Sequence, residues 1–289
     1  MNTDFHPYFD EMIAMRRKLH TYPEEGWCEF VTTTRIIERL KALGIPYRAG
    51  LDVIAPEAIM GRDPKLVAKA LDAARATPDI DQEVLKEIGE YTGVMAEIDT
   101  GRPGPVIAFR ADIDCVLSNE TDDPKHLPNV GCFASTVPGH QHSCGHDGHT
   151  AVGLALCHWL VDHKDELKGR FKVLFQPAEE GVRGAAAMAA KGIVDDVDIL
   201  IGSHVGCGYT LHEVGVIDSG FLATTKLDIE FFGKAAHAGS DPEKGRSALV
   251  AAAACVMALQ GIPRHSAGAT RVAIGTLHAG TGRNVVADY

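Results

Sequence analysis

The sequence predicts an α/β fold with a mostly parallel sheet flanked by helices, followed by a second, smaller α+β unit. Three observations carry this. From residue 106 onward, apolar strand-like runs alternate with helical patterns. Side chains capable of chemistry gather where those runs end. After Ser219-Gly220 the pattern changes to one alternating strand, one helix and another strand. Strands joined through helices pair in parallel and collect functional residues at their C-terminal ends.

Each element follows in order. Residues 5–22 place Phe9, Met12, Ile13 and Leu19 near helical spacing and stop at Pro23, which reads as an amphipathic helix. A second helical pattern covers 32–43 (Ile36, Ile37, Leu40, Leu43), ended by Gly44 and Pro46. Residues 56–93 are charged and helix-rich, broken at Pro78, and read as a helical insertion. A β-rich run at 106–114 precedes a helix at 148–163, an apolar strand at 171–176 closed by Pro177, a short Ala-rich helix at 182–191 and a strand at 199–204. The second unit is expected to hold strands at 226–234 and 269–279 around a helix at 247–259.

The chain has 289 residues, roughly two domains at about 150 residues each, and 45% hydrophobic with 23% charged residues is globular composition. A net charge of −11 with no basic stripe excludes nucleic acid as the expected partner. The longest apolar stretch, 248–259, is too short to span a bilayer, and Met1-Asn2-Thr3-Asp4 carries no secretory pattern, so no membrane role and a cytoplasmic location are expected. Seven scattered cysteines (Cys28, Cys115, Cys132, Cys144, Cys157, Cys207, Cys255) fit a reducing compartment better than a disulfide framework. Six of the 14 histidines fall between His126 and His158.

Three short pieces carry the chemistry: Cys144-Gly145-His146-Asp147-Gly148-His149, Gln176-Pro177-Ala178-Glu179-Glu180 and Gly202-Ser203-His204. Each lies where a strand or loop meets a helix, so their side chains can converge. Thiolate, imidazole and carboxylate together suit zinc, manganese or a similar divalent ion. Taken singly the pieces have ordinary readings: a buried thiol beside a surface histidine, glutamates at the positive end of a helix, a hydrogen-bonded core histidine. Their joint occurrence at successive strand ends favours a metal site. Of two adjacent glutamates, one can hold the ion while the other moves a proton from water to a leaving amine.

In this order Arg110-Ala111-Asp112-Ile113-Asp114, the three pieces above, Ala236-His237-Ala238-Gly239 and Gly282-Arg283-Asn284-Val285-Val286 resemble the peptidase M20 amidohydrolases over essentially the whole chain. The helical insertion, Asp99-Thr100-Gly101-Arg102-Pro103-Gly104-Pro105 and Val194-Asp195-Asp196-Val197-Asp198 resemble the aminobenzoyl-glutamate branch of that family. The resemblance implies a catalytic metal-binding domain over 1–219 and part of an inserted lid and dimerisation domain over 220–289. It makes Cys144, His146, Glu180 and His204 metal ligands, Glu179 the general acid/base, and Asp112 the carboxylate that orients a ligand or the base. His237, Asn284 and Arg283 become lid residues that bind the substrate, often from the other protomer of a dimer. His149 is expected to lie just outside the ligands or at the helix start, and His140, His142 and His158 to serve structure or solvent.

The implied activity is hydrolysis of an N-acyl or N-aroyl amino acid, p-aminobenzoyl-glutamate first and hippurate-like or acetylated amino acids as the alternative. The implied cofactor is Mn or Zn, one or two ions per chain, and the implied assembly a homodimer or hetero-oligomer through the lid. Family members continue past the position of Tyr289, so the lid is expected to be truncated and the second metal site incomplete. Two other readings stay open at this level: a non-catalytic metal-binding subunit, and a nucleophilic cysteine hydrolase working through Cys144.

Overall fold

The structure, a computed structural model, describes residues 4–217 and 222–289. The chain divides into two compact units, Met1–Gly215 and Val216–Tyr289. The boundary expected at 219/220 lies outside the described residues.

The first unit is built on a five-stranded sheet of β1 (Tyr47–Ala49), β2 (Val94–Asp99), β3 (Val106–Asp112), β4 (Arg170–Gln176) and β5 (Ile199–Gly202), in the order β1-β2-β4-β3-β5. The connections explain the directions. β3 reaches β4 through a long helix and β4 reaches β5 through a short one, and β3 pairs in parallel with both neighbours. β2 passes to β3 through the tight segment 100–105, which reverses the chain, so β2 is antiparallel to β4 and β1 to β2. The sheet is therefore mixed, and the expected parallel pairing covers the half that carries the motifs. Neither β1 nor β2 was legible in the sequence: β1 has only three residues, and β2 follows the charged insertion directly at Gly93.

Helices α1 (Phe9–Thr21), α2 (Phe30–Ala42), α3 (Pro64–Arg75), α4 (Gln82–Ile88), α5 (Leu127–Val130), α6 (His146–Asp162) and α7 (Gly184–Ala190) complete this unit. The insertion forms α3 and α4, each started by an aspartate: Asp63 accepts from Lys65 N–H at 2.8 Å, and Asp81 from Glu83 N–H at 2.9 Å. The start of α2 is capped from outside, where the buried Glu24 carboxylate accepts from the N–H groups of Val31 (2.9 Å) and Thr32 (2.7 Å). Phe30, Val31, Ile36, Ile37 and Leu40 of α2 are fully buried in the core with Val173 and Phe175 of β4. α6 approaches the sheet at Gly153, where a Cβ would lie 2.9 Å from the Phe175 ring. Among the described residues no helix is long and apolar enough to cross a membrane.

A buried charged network ties α1 to the start of α6 and to the loop before it. His20 Nδ1 lies 2.7 Å from Asp147 Oδ2, and its Nε2 lies 2.9 Å from Glu120 Oε1. Arg16 Nε reaches the same Asp147 oxygen at 2.7 Å, and Glu120 accepts from Ser135 N–H at 2.6 Å. Burial works against a charge on His20, but the two carboxylates outweigh it and raise its pKa above 6.5. Burial likewise acts to raise both acids. The His20 contact to Asp147, and Ser135 N–H with His20 to Glu120, outweigh it and hold them below 3.8 and 4.5. The histidine's contribution to stability is thus complete below pH 6.5 and fades as pH rises through its folded-state value. The acids' contribution is complete above 4.5 and fades on acidification. We expect His20→Gln to cost about 3 kcal/mol at about pH 5.5, where the pairs are fully charged, and clearly less at about pH 9. Urea unfolding at the two pH values checks this; an equal cost at both would show that charge pairing is not what His20 contributes.

The second unit contains α8 (Ala248–Gln260), started by Ser247, whose hydroxyl accepts from Val250 N–H at 3.2 Å. Its ladder joins β6 (Ala236–His237) to β7 (Val285–Val286), antiparallel, with His237 opposite Val285. The strands expected at 226–234 and 269–279 are not formed. Leu227 and Phe232 are each 77% exposed and Val272 44%, and an alternating pattern without a ladder partner does not make a strand.

Candidate metal centre

The centre forms where β3, β4 and β5 end and α6 begins. Gly145 precedes α6 in a left-handed conformation (φ 82°), and a Cβ there would lie 2.5 Å from Val205 Cγ2. That turn starts α6 at His146, two residues earlier than the sequence indicates, and puts His146 and His149 on its first turn. His146 is fully buried. Its Nδ1 faces the Asp114 carbonyl oxygen (2.9 Å) and Asp114 Oδ1 (3.1 Å), which fixes the ring proton on Nδ1. Its Nε2 has no hydrogen-bond partner.

Around that nitrogen lie the other donors. Glu179 Oε2 is 3.8 Å away and Glu180 Oε1 4.0 Å. Cys144 Sγ lies 3.4 Å from His204 Nε2, and His204 Nδ1 lies 2.7 Å from the Val205 carbonyl oxygen. Ligand atoms of Cys144, His146 and His204 fall within 4.8 Å of one another, as do those of Asp112, His146 and His149, and those of His146, Glu179 and Glu180. His146 belongs to all three groups. The four residues predicted as ligands and the predicted acid/base are therefore brought together.

The electrostatics of the centre are those of a site built for a cation. Burial first, then the charges of Glu180, Glu179 and Asp114, push the Cys144 thiol up to about 12. Burial and the neighbouring Asp112 raise Glu179 as well. On His146 burial favours the neutral ring, but Asp114, Asp112 and Glu180 outweigh it and raise it. The uncompensated charge is negative throughout. Buried polar atoms without partners include His146 Nε2 and Glu180 Oε1, both able to present a lone pair. A divalent ion satisfies these atoms and reverses the preference of the thiol. A cysteine nucleophile needs a depressed thiol pKa, which this environment opposes.

The paired glutamates are held from behind. Asp114 Oδ2 accepts from Glu180 N–H at 2.9 Å, and the buried Glu29 carboxyl accepts from Ala178 N–H and Thr92 Oγ1, each at 2.7 Å. Ala178 has φ +49°, a left-handed backbone costly for a residue with a Cβ. Asp112 does not touch His146 Nδ1. Its Oδ2 lies 3.4 Å from His149 Nδ1, and its Oδ1 pairs with Arg110, whose Nη2 is also 3.9 Å from Glu179 Oε1. Burial acts to raise Asp112, but His149 and Arg110 outweigh it and hold it below the usual range.

The carboxylate that orients His146 is thus Asp114. Sequence reasoning missed it, although Asp114 falls two residues after Asp112 and so on the same side of the strand's extension. Glu29 gave no signal, because its contact lies far along the chain. His140, His142 and His158 enter none of the donor groups; His142 is buried, and burial holds its imidazole down to about 4.

His237, Arg283 and Asn284 lie together in the second unit. Ala238 N–H donates to the Asn284 carbonyl oxygen at 2.9 Å. His237 Nδ1 accepts from the N–H groups of Gly239 (3.1 Å) and Ser240 (3.2 Å), which leaves its exposed Nε2–H as a free-standing donor.

Among known proteins, residues 108–278 match Peptidase family M20/M25/M40. The chain is similar to the indole-3-acetyl-aspartic acid hydrolase of Enterobacter agglomerans, 48% identical over 277 residues that cover 96% of this chain and 64% of that protein. It is 45% identical to a p-aminobenzoyl-glutamate hydrolase homolog of Haemophilus influenzae over 287 residues, 99% of this chain and 67% of the relative. The crystal structure of an aminobenzoyl-glutamate utilization protein from Klebsiella pneumoniae aligns with a TM-score of 0.71 at 40% identity, covering 98% of this chain and 65% of that one. The chain spans about two thirds of the length of these relatives. The match runs through the strands and loops that carry Cys144, His146, Glu179, Glu180 and His204, and the chain belongs to peptidase family M20/M25/M40.

Proposed function

We propose that this chain is a metal-dependent amidohydrolase that cleaves the amide bond of N-acyl or N-aroyl amino acids. The observation that carries the reading is the pair Glu179 and Glu180 facing the unpartnered Nε2 of His146 beside Cys144 and His204. In this reading Cys144, His146, Glu180 and His204 hold a divalent ion, Mn or Zn, one or two per chain. The ion supplies Lewis acidity and makes water a nucleophile near neutral pH.

Glu179 does the proton work. Its carboxylate takes a proton from the water whose oxygen bonds to the amide carbon. As the C–N bond breaks, the same carboxyl gives that proton to the departing nitrogen. A carboxyl whose pKa is raised by burial suits both halves, because it returns the proton more readily than an exposed acid would. Arg110 and Asp112 fix the surroundings of Glu179. His237, Asn284 and Arg283 supply donors for the substrate carboxylate or the developing oxyanion. With a net charge of −11 the attraction of an anionic substrate has to be local, from groups such as Arg283, His237 and Arg271.

The names of the relatives support p-aminobenzoyl-glutamate as first substrate and indole-3-acetyl-aspartate or hippurate-like compounds next. Seven unpaired cysteines support a reducing, cytoplasmic setting. The family likeness supports residues 220–289 as part of a lid domain through which two chains, alike or different, associate as a homodimer or hetero-oligomer. The test measures bound ion per chain and hydrolysis of p-aminobenzoyl-glutamate, indole-3-acetyl-aspartate and hippurate on one sample supplied with Mn or Zn. One or two ions with turnover that a chelator abolishes is the expected result. Bound ion without turnover on any of the three identifies a non-catalytic metal-binding protein instead.

A further inference from the structure

His149 belongs to one of the donor groups, and its Nδ1 is buried and without a well-aligned hydrogen bond. By count it looks like a further ligand. Its hydrogen bonds give a different answer. His149 Nε2 lies 3.1 Å from the backbone nitrogen of Val205 and accepts its hydrogen. A backbone N–H only donates, so Nε2 holds a lone pair and the proton of the neutral ring sits on Nδ1. That N–H points to Asp112 Oδ2, 3.4 Å away. Both nitrogens are therefore committed, and neither has a lone pair free for a cation.

His146 and His204 have the opposite arrangement. In each, Nδ1 faces oxygen: Asp114 for His146, and the Val205 carbonyl for His204. In each, Nε2 is the nitrogen turned toward the shared volume with Cys144 and Glu180. The His149 ring stacks on His146 (5.0 Å between centroids, 27° between planes) and meets His204 edge-on (4.6 Å, 83°).

The ladder of β5 ends at Gly202, so the residues after it have left the sheet when the chain reaches His204. Val205 N–H is then held by the His149 side chain. We infer that His149 is not a ligand but a positioning residue, locked with its proton on Nδ1, that anchors Val205 and through it sets His204 against Cys144. The inference rests on the metal reading above. It also removes Asp112, His146 and His149 as a second cation site.

Two measurements on the full chain test it. In the metal-free protein, long-range 1H–15N correlation of the His149 ring is expected to show protonation at Nδ1; protonation at Nε2 overturns the inference. The second is titration with Co2+, followed through its absorption and its thiolate charge-transfer band. His149→Gln keeps an amide oxygen near the Nε2 position to accept from Val205, whereas His149→Asn reaches only the Nδ1 position. His149→Asn is expected to weaken Co2+ binding by about 10- to 100-fold, and His149→Gln to restore it to near that of the unsubstituted chain. Unimpaired binding by His149→Asn, or equal loss in both variants, overturns the inference while the metal reading stands. No Co2+ binding by the unsubstituted chain overturns the metal reading and the inference together. If His149→Asn fails to fold, as circular dichroism would show, the position of the ring proton decides alone.

Discussion

Glu179→Gln is expected to lower hydrolysis by roughly 10³-fold, the scale of a lost general acid/base, with cation affinity and thermal stability unchanged. Glutamine keeps the size of the side chain and its place 3.8 Å from His146 Nε2, but its amide cannot accept and return a proton. Glu180 keeps its carboxylate, its N–H bond to Asp114 and its approach to His146. The Glu179 side chain is 32% exposed, so the core does not depend on it. Steady-state rates and metal content on the same preparation check the result. Loss of bound ion with turnover preserved would assign the two glutamates the other way round.

Asp114→Ala is the second large effect, and it falls on binding and stability together. The Asp114 side chain is fully buried and serves two donors, Nδ1–H of His146 at 3.1 Å and Glu180 N–H at 2.9 Å. Alanine leaves the Glu180 N–H unpaired and the His146 ring held only by the backbone carbonyl of residue 114, which also allows the ring proton to move to Nε2. Each donor left unsatisfied costs about 1–3 kcal/mol, so unfolding free energy should fall by about 2–4 kcal/mol. Cation affinity should fall by about 10- to 100-fold. Isothermal titration with Zn2+ and denaturant unfolding of the metal-free chain read the two effects separately. An affinity unchanged within error would remove Asp114 from the centre.

What the sequence made legible follows the range of the forces involved. Helices α1, α2 and α6 and strands β3 and β4 were readable because apolar periodicity and Gly or Pro stops are local. Cys144, His146, Glu179, Glu180 and His204 were readable because unusual donors stand at strand ends, where parallel pairing brings them together. The antiparallel half was not, since β1 is held by its register with β2, Tyr47 opposite Ala96, and not by its own three residues. Supports such as Glu29 beneath Ala178, and the proton position on His149, depend on partners distant in sequence. The resemblance to a family carried roles for ligands but gave Asp112 the contact that Asp114 makes.

The excursion between β1 and β2 has ends that meet: Gly50 N–H donates to the Gly93 carbonyl oxygen at 3.2 Å, next to the pair Ala49 and Val94. The hairpin closes there whatever lies between, so the excursion is a module whose length can change without shifting the sheet. Yet it reaches the rim of the centre, where Trp27 Nε1 donates to the Met60 carbonyl oxygen (2.9 Å) and Arg183 bridges the carbonyls of Gly61 (2.8 Å) and Glu180 (3.0 Å). Such an arrangement lets natural diversification, or a designed graft, retune the approach to the reactive pair while the scaffold beneath it stays fixed.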